Sequence, residues 1–412
     1  MLFTRKKVHR ANIRPSLPYN PERISGLFRI DLEIALSPDS KVDRPLLRIG
    51  FDDPSISNYE RTVGTEEIGG RPFSLVINSH LLRHGPNEIT FDLLDAHGRQ
   101  LGCQSIRLSF FNEGPLARQV ARSLRFRNVP AVLFDPVDSS LFDYADESLA
   151  PWFDQSTANA HVRELLERGD VNQQEAGSLS RFVDEGYTTL DDKIDPELID
   201  RVNADLNLAI ENRWQNYEYG SSQRLEHLHS TYESFYQLWT HPQILHFLQM
   251  LFDAAARPCQ TLTYVFGSQQ DLHQDTVHLT PFPAGYMCGM WVALEDIKPD
   301  SGELVVVPGS HRWSRIYMNT VGCQRPGDNN HTMGEFAKKV VGRWQGMVSE
   351  HMSQPVNYRP EKGTVLIWHE NLMHGGSMRF DKSLSRRSMV GHYFADGAIA
   401  YYDSSGMPAC IL

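Results

Sequence analysis

The chain is predicted to be mainly β with supporting helices, in two parts: a small N-terminal β-sandwich and a C-terminal double-sheet β core braced on one face by helices. Three observations carry this. Strict alternation of apolar and polar residues begins at Phe28, helical periodicity fills the stretch from Ala158 to Leu251, and strand-like runs resume near Thr261. A length of 412 residues exceeds one ordinary domain, and a hydrophobic content of 41% suffices for two packed cores.

Residues 1–24 are polar and Pro-containing and read as a leader arm. In the expected accessory domain, 25–113, Phe28, Ile30, Leu32, Ile34 and Leu36 share one face of a strand and Arg29, Asp31 and Glu33 the other. Further strands are expected at 46–51, 73–77, 88–94 and 106–111, separated by turn sequences such as Gly69-Gly70 and His84-Gly85-Pro86-Asn87. Short strands at this spacing predict a β-sandwich, suited to docking, to glycan or substrate binding or to homodimer formation, with a plain structural appendage as the bland alternative. A region at 114–174 reads as a linker with a helix at 116–127. Helices follow at 158–167 and 173–185, then at 197–212 behind the cap Asp195-Pro196, and at 243–251 behind His241-Pro242. The second domain is expected over 175–412.

The net charge of −11 and pI near 5.9 leave no electrostatic footprint for nucleic acid. Arg5-Lys6-Lys7 is followed by no apolar run and no segment is long enough to span a bilayer, so a cytoplasmic location is expected. Cys103, Cys259, Cys288, Cys323 and Cys410 are scattered and odd in number, which fits reduced thiols better than a disulfide framework.

The chemistry concentrates in His273-Gln274-Asp275. Residues two apart on an extended strand project the same way, so one imidazole and one carboxylate can close on one ion. Seventeen histidines give about one His-x-Asp pair by chance, so the flanks decide. A strand-like 290–294 follows, then the turn Lys298-Pro299-Asp300-Ser301-Gly302, then a strand ending in Pro308-Gly309-Ser310-His311. A third ligand, His374, stands after a strand-like run at 364–368 and before Gly375-Gly376, which let the backbone approach closely. Two imidazoles and a carboxylate on one face of a metal, with open positions opposite, is the arrangement of non-haem Fe(II) oxygenases. The rival His227-Leu228-His229 lies in a helical pattern, where residues two apart diverge.

With Trp291-Val292-Ala293-Leu294-Glu295-Asp296, Ser301-Gly302-Glu303-Leu304 and the arginines after His374, these motifs resemble the phytanoyl-CoA dioxygenase family over 175–396, opening at Phe182-Val183-Asp184-Glu185-Gly186-Tyr187 and closing near Phe394. The resemblance implies a jelly-roll, cupin-like double-stranded β-helix. It also implies Fe(II) held by His273, Asp275 and His374, with 2-oxoglutarate and O2 as co-substrates, and hydroxylation of an aliphatic C–H bond with release of succinate and CO2. Asp275 argues against the related halogenases, which carry Gly or Ala there.

The far carboxylate of 2-oxoglutarate calls for a guanidinium fork. Arg386 and Arg387 both stand at a suitable distance, and anchoring the strand on Phe394 favours Arg387. Trp291 and Tyr264 are expected on the co-substrate side, with core packing as the equal alternative for each. Where many family members carry Ser or Thr two residues after the last ligand, this chain has Gly376, with Ser377 next. Gln274 is free to face substrate or solvent, while His278, His311 and His369 read as hydrogen-bonded neighbours. Substrate-facing loops are expected at 281–285 and in the insertion 313–354, read as a lid. The substrate is left as a small molecule, a lipid or a glycan-linked compound. Two other readings stand beside the dioxygenase: a zinc hydrolase using the same three ligands, and a non-catalytic binding protein acting through the sandwich.

Overall fold

The computed structural model describes residues 11–17, 23–37, 42, 44–68, 71–323, 333–409 and 411. The chain divides into two units, Met1–Val137 and Asp138–Leu412.

The first unit carries two four-stranded antiparallel sheets. Its strands are β1 (Ala11–Ser16), β2 (Leu27–Leu36), β3 (Leu46–Phe51), β4 (Tyr59–Thr62), β5 (Phe73–Asn78), β6 (Gly85–Leu94), β7 (Gln100–Phe110) and β8 (Val132–Leu133). The sheet orders are β1-β2-β5-β8 and β4-β3-β6-β7. In β2 the alternation resolves as expected: Phe28, Ile30, Leu32 and Ile34 are buried, each contributing about 1.5–3 kcal/mol by leaving water. On the other face Arg29 bonds Asp31 at 2.6 Å.

Two expectations are corrected in this unit. Part of the leader arm is strand: Ala11 and Ile13 are buried, and β1 pairs along β2 from Ala11↔Leu36 to Ser16↔Asp31. Residues 1–10 lie outside the described residues. The linker does not begin at 114 either. The helix Pro115–Phe126 buries Leu116, Ala117, Val120, Ala121 and Leu124, and β8 extends the first sheet by pairing Val132 with Ile77. Pairing with β5 claims this segment for the first unit.

In the second unit the aromatic segment after Asp138 packs at once. Phe142 stacks on Phe282 with ring centres 4.9 Å apart, and Tyr144 on Tyr317 at 4.3 Å. Helices follow at Ala158–Arg168, Gln173–Glu185, Pro196–Glu211, Glu233–Trp239 and Pro242–Phe252. The second opens with a capping box between Asn172 and Glu175 and ends at the left-handed Gly186. A Cβ there would collide with the His311 ring. The third starts as read, with Asp195 accepting from the Glu197 amide at 3.2 Å.

The strands of this unit are β9 (Tyr187–Thr189), β10 (Leu225–Glu226), β11 (Ala256–Tyr264), β12 (Thr280–Phe282), β13 (Met287–Ala293), β14 (Leu304–Val306), β15 (Val356–Tyr358), β16 (Val365–His369), β17 (His374–Gly376), β18 (Ser388–Ala395), β19 (Ile399–Tyr402) and β20 (Met407–Pro408). They form one six-stranded sheet, β10-β11-β18-β13-β16-β9, and two three-stranded sheets, β12-β19-β20 and β15-β14-β17. The central strands β13, β16 and β18 of the large sheet are buried throughout, as expected of a sheet covered on both faces.

The insertion 313–354 is not a detached lid where it is described. Val340, Trp344 and Met347 from its helical part join Val277, Val307, Ile316, Met318 and Met373 in one apolar cluster. Residues 324–332 of the insertion lie outside the described residues. No helix among the described residues is long and apolar enough to cross a membrane.

Candidate metal centre and co-substrate cavity

His273, Asp275 and His374 converge, with one ligand atom from each lying within 4.8 Å of the others. The backbone explains why. His273 and His374 form an antiparallel bridge, His273 N bonding His374 O at 2.9 Å and His374 N bonding His273 O at 3.0 Å. Directly opposed residues place their side chains side by side, and the two ring centres stand 4.4 Å apart. Asp275 does not continue that strand, as the sequence reading had it. After the extended Gln274 it opens a single 3₁₀ turn, Asp275–Val277, which carries its carboxylate towards both imidazoles, with Oδ1 3.7 Å from His273 Nε2 and 3.8 Å from His374 Nε2.

Each imidazole is oriented from behind. His273 Nδ1 donates to Asp271 O at 2.8 Å and His374 Nδ1 to Leu372 O at 3.0 Å, which leaves both Nε2 atoms as acceptors facing the carboxylate. Asp275 Oδ2 accepts from Trp368 Nε1 at 2.9 Å, so Oδ1 is the oxygen left for an ion. Burial, reinforced by nearby His374, drives the His273 pKa down to about 3. Burial pushes Asp275 up, but His374, His392, His273 and the Trp368 bond together hold it below its ordinary value. At neutral pH His273 is neutral and Asp275 ionised, the forms metal ligation requires.

The donor set fits a hexacoordinate divalent ion. Facial ligands at ~2.1 Å from a metal stand ~3 Å from one another, so side-chain rotations of under ~1 Å close this site. One oxygen and two imidazole nitrogens suit iron, and suit zinc as well.

Several residues absent from the sequence reading hold this arrangement. Gly289 pairs with Trp368 across β13 and β16; a Cβ on Gly289 would occupy the place of the indole, which lies over the neighbouring strand and reaches Asp275. Between β16 and β17 the turn is pinned by polar groups. Asn371 Nδ2 donates to His311 O at 2.8 Å and to Trp313 O at 2.7 Å. Buried Glu370 accepts from Gly285 N at 2.8 Å and from Arg315 Nε at 3.0 Å. Gln274 faces neither substrate nor solvent: it donates to Asn371 O and accepts from Trp344 Nε1.

The triad opens into a cavity of about 380 Å³. Its floor is laid by β11 and β18, whose register pairs Tyr264 with Ser388, Leu262 with Val390 and Gln260 with His392. At the first end lie Tyr264, Trp291 and Arg386, all cavity-lining. Arg386 is only 2% exposed. Its Nε donates to Gly302 O at 2.9 Å and its Nη1 to Ser388 Oγ at 2.5 Å, and no carboxylate among the described residues pairs with it. Burial lowers its pKa to about 10, still charged at neutral pH. Trp291 Nε1 is buried there with no partner among the described residues.

Of the two arginines, Arg386 lines the cavity and Arg387, the one the sequence favours, does not. Arg387 points to the opposite face, where Nη1 reaches Asn203 Oδ1 at 3.3 Å on the helix Pro196–Glu211. Arg386 shares the parity of Val390 and His392, the residues of β18 that line the cavity. Ser377 is also displaced from its expected role. Its hydroxyl donates to Glu303 Oε2 at 2.7 Å, and it does not line the cavity.

The other end is polar, and Arg224, paired with Glu226 at 2.7 Å, also lines the cavity and bears on His278 and His392. Gln260 Nε2 contacts His392 Nδ1 at 3.3 Å, His278 Nδ1 contacts Ser404 Oγ at 3.2 Å, and Tyr402 and Ser405 complete the wall. Burial lowers His392 to about 4 and pulls His278 down as well. His311 contacts Val183 O and His369 contacts Asp154, each as a hydrogen-bonded neighbour. His229 bonds Thr261 and stands outside the metal group.

Against known families, the model described as phytanoyl-CoA dioxygenase matches residues 182–387, half of the chain. The chain belongs to the phytanoyl-CoA dioxygenase family. A probable phytanoyl-CoA dioxygenase of Caenorhabditis elegans is 27% identical over 140 residues, 34% of this chain and 40% of that protein. The human peroxisomal phytanoyl-CoA dioxygenase is 30% identical over 140 residues, 34% of this chain and 37% of that protein. The chain thus spans about two fifths of the length of the curated relatives it matches. Among solved structures, the non-haem α-ketoglutarate-dependent carbocyclase SnoK of nogalamycin biosynthesis is 16% identical with TM-score 0.44, covering 57% of this chain and 88% of that one. EctD from S. alaskensis, solved with 2-oxoglutarate and 5-hydroxyectoine, is 16% identical with TM-score 0.42, covering 57% of this chain and 82% of that one.

Proposed function

We propose that this protein is an Fe(II)- and 2-oxoglutarate-dependent dioxygenase that hydroxylates an aliphatic C–H bond of a small, hydrophilic molecule. One observation carries the reading: a buried guanidinium without a carboxylate partner lines the same cavity as the three metal ligands. A buried cation is costly unless something anionic meets it. A dicarboxylate that reaches the ion with one end and Arg386 with the other answers that need.

In this reading His273 Nε2, His374 Nε2 and Asp275 Oδ1 hold the ion, and Trp368 keeps the second oxygen of Asp275 turned away. When bound, Fe(II) with 2-oxoglutarate and O2 supplies the oxidant for C–H hydroxylation, leaving succinate and CO2. Arg386 binds the far carboxylate of the co-substrate, with Tyr264 and Trp291 beside it. Leu262, Val390 and Leu304 flank the methylene carbons and keep water from the charged ends. Gln260, His278, His392, Tyr402, Ser404 and Ser405 face the substrate with neutral donors and acceptors. Co-substrate and substrate share about 380 Å³, which favours a compact polar substrate over a long acyl chain. We read the paired sheets of the second unit as a double-stranded β-helix and the two sheets of the first as a sandwich with a docking or dimer-forming role.

A zinc hydrolase would use the same ligands, but it has no use for Arg386, and among the described residues Asp275 is the sole carboxylate lining the cavity, leaving no other acidic side chain among them as general base. Metal analysis of anaerobically purified protein together with a 2-oxoglutarate titration separates the two. The dioxygenase reading expects iron and saturable 2-oxoglutarate binding. Zinc with no 2-oxoglutarate binding would refute it.

A further inference from the structure

We propose that Ser268 supplies a hydrogen bond to the far carboxylate of 2-oxoglutarate, standing where a side chain at position 376 would otherwise reach. The inference rests on the function proposed above and adds to it a residue from outside both ligand-bearing strands.

Gly376 follows His374 on β17 at the same parity, so its missing side chain would project on the same side as the ligand. That space is filled. A Cβ at Gly376 would stand 2.6 Å from Ser268 Oγ and 2.9 Å from Gln269 N. The loop that delivers the serine is tied to β17 by Gly376 N bonding Gln270 O at 2.9 Å.

The same loop reaches the Arg386 end of the cavity. Gly267 packs against Gly302 so closely that a Cβ on Gly267 would come within 2.8 Å of Gly302 Cα, and Gly302 O is the acceptor that fixes Arg386 Nε. Ser268 therefore follows the residue that packs on Gly302, whose carbonyl positions the guanidinium, and Ser268 and Arg386 both line the cavity. Its Oγ accepts from Gln270 N at 3.3 Å, which leaves the hydroxyl proton uncommitted among the described residues. With Arg386 and the unpartnered Trp291 Nε1, this end presents donors and no carboxylate, the complement of an oxyanion. Ser377, the neighbour in sequence, is bound to Glu303 and is not available for this contact.

The test uses the full chain loaded with Co(II) under anaerobic conditions and titrated by calorimetry with two ligands. One is 2-oxoglutarate; the other is 2-oxobutyrate, which has the same keto-acid head but lacks the far carboxylate. Ser268→Ala is expected to weaken 2-oxoglutarate about tenfold or more, the scale of a lost hydrogen bond to a charged group, while 2-oxobutyrate stays within about twofold. Ser268→Thr, which keeps the hydroxyl, retains 2-oxoglutarate affinity. Gly376→Ala, whose methyl group displaces the hydroxyl, weakens 2-oxoglutarate selectively as well; Ser268→Ala decides the matter should that variant fail to fold. Unchanged 2-oxoglutarate binding in Ser268→Ala overturns the proposal, and so does an equal loss of both ligands, which marks a purely structural serine. Failure of the wild-type protein to bind 2-oxoglutarate overturns the contact together with the function it rests on, and places the error in the latter.

Discussion

The two ends of the cavity rest on the same pair of strands and carry opposite chemistry. Along β11 and β18 the inward residues pass from Tyr264 and Ser388 beside Arg386, through Leu262 and Val390, to Gln260 and His392 beside Asp275. Each step of two residues advances about 6.6 Å. One antiparallel pair, read at every second residue, therefore grades its own inward residues from those beside the buried Arg386, through apolar, to uncharged and hydrogen-bonding ones. The first end suits the invariant dianion of a co-substrate, and the second a variable substrate. The second end also draws Tyr402, Ser404 and Ser405 from beyond residue 387, where the family match stops.

If this division is right, substitutions at the two ends and at the metal between them have separable effects. The largest is expected at the metal: Asp275→Ala removes the anionic ligand, and metal content after dialysis and succinate formation both fall to background. Next, Arg386→Gln raises the apparent Kd for 2-oxoglutarate by roughly 100-fold, through loss of charge-assisted bonds in a dry site, while Arg387→Gln changes it by less than about twofold. Isothermal titration of both variants tests the contrast, and a reversed order would restore Arg387. Trp368→Phe keeps one aromatic ring but removes the donor to Asp275 Oδ2; metal affinity is expected to drop about tenfold, as when an outer partner of a ligand is lost, with a lower midpoint of thermal unfolding of the metal-free protein from the cavity left in the core. The smallest effect belongs to the polar end. Ser404→Ala leaves both metal and 2-oxoglutarate titrations within about twofold of wild type, since a single neutral hydrogen bond there acts on substrate alone.

Local signals in the sequence were read well. The cap Asp195-Pro196 and the apolar alternation from Phe28 mark elements that the structure reproduces within a residue or two. His273, Asp275 and His374 were legible because motif spacing survives without knowledge of the fold. What depended on pairing between distant strands was not. His374 lies opposite His273 through a backbone bridge that spans just over a hundred residues of sequence, and Gly289 makes room for Trp368 only through the register of β13 with β16. Which of the two arginines faces the cavity turned on parity along β18. It follows from His392, whose Nε2 lies 3.7 Å from Asp275 Oδ2, a contact no sequence pattern announces. The leader arm and linker were misjudged for the same reason, because β1 and β8 owe their strand character to partners rather than to their own composition.

The most direct measurement is succinate formation from 2-oxoglutarate in air by the wild-type chain loaded with Fe(II), beside the same chain loaded with Zn(II). The account predicts succinate with Fe(II), none with Zn(II), and, at a co-substrate concentration near the wild-type Kd, succinate from Arg386→Gln at only a small fraction of the wild-type rate. No succinate from the Fe(II)-loaded protein at saturating 2-oxoglutarate, with hydrolytic turnover by the Zn(II)-loaded form, would contradict it.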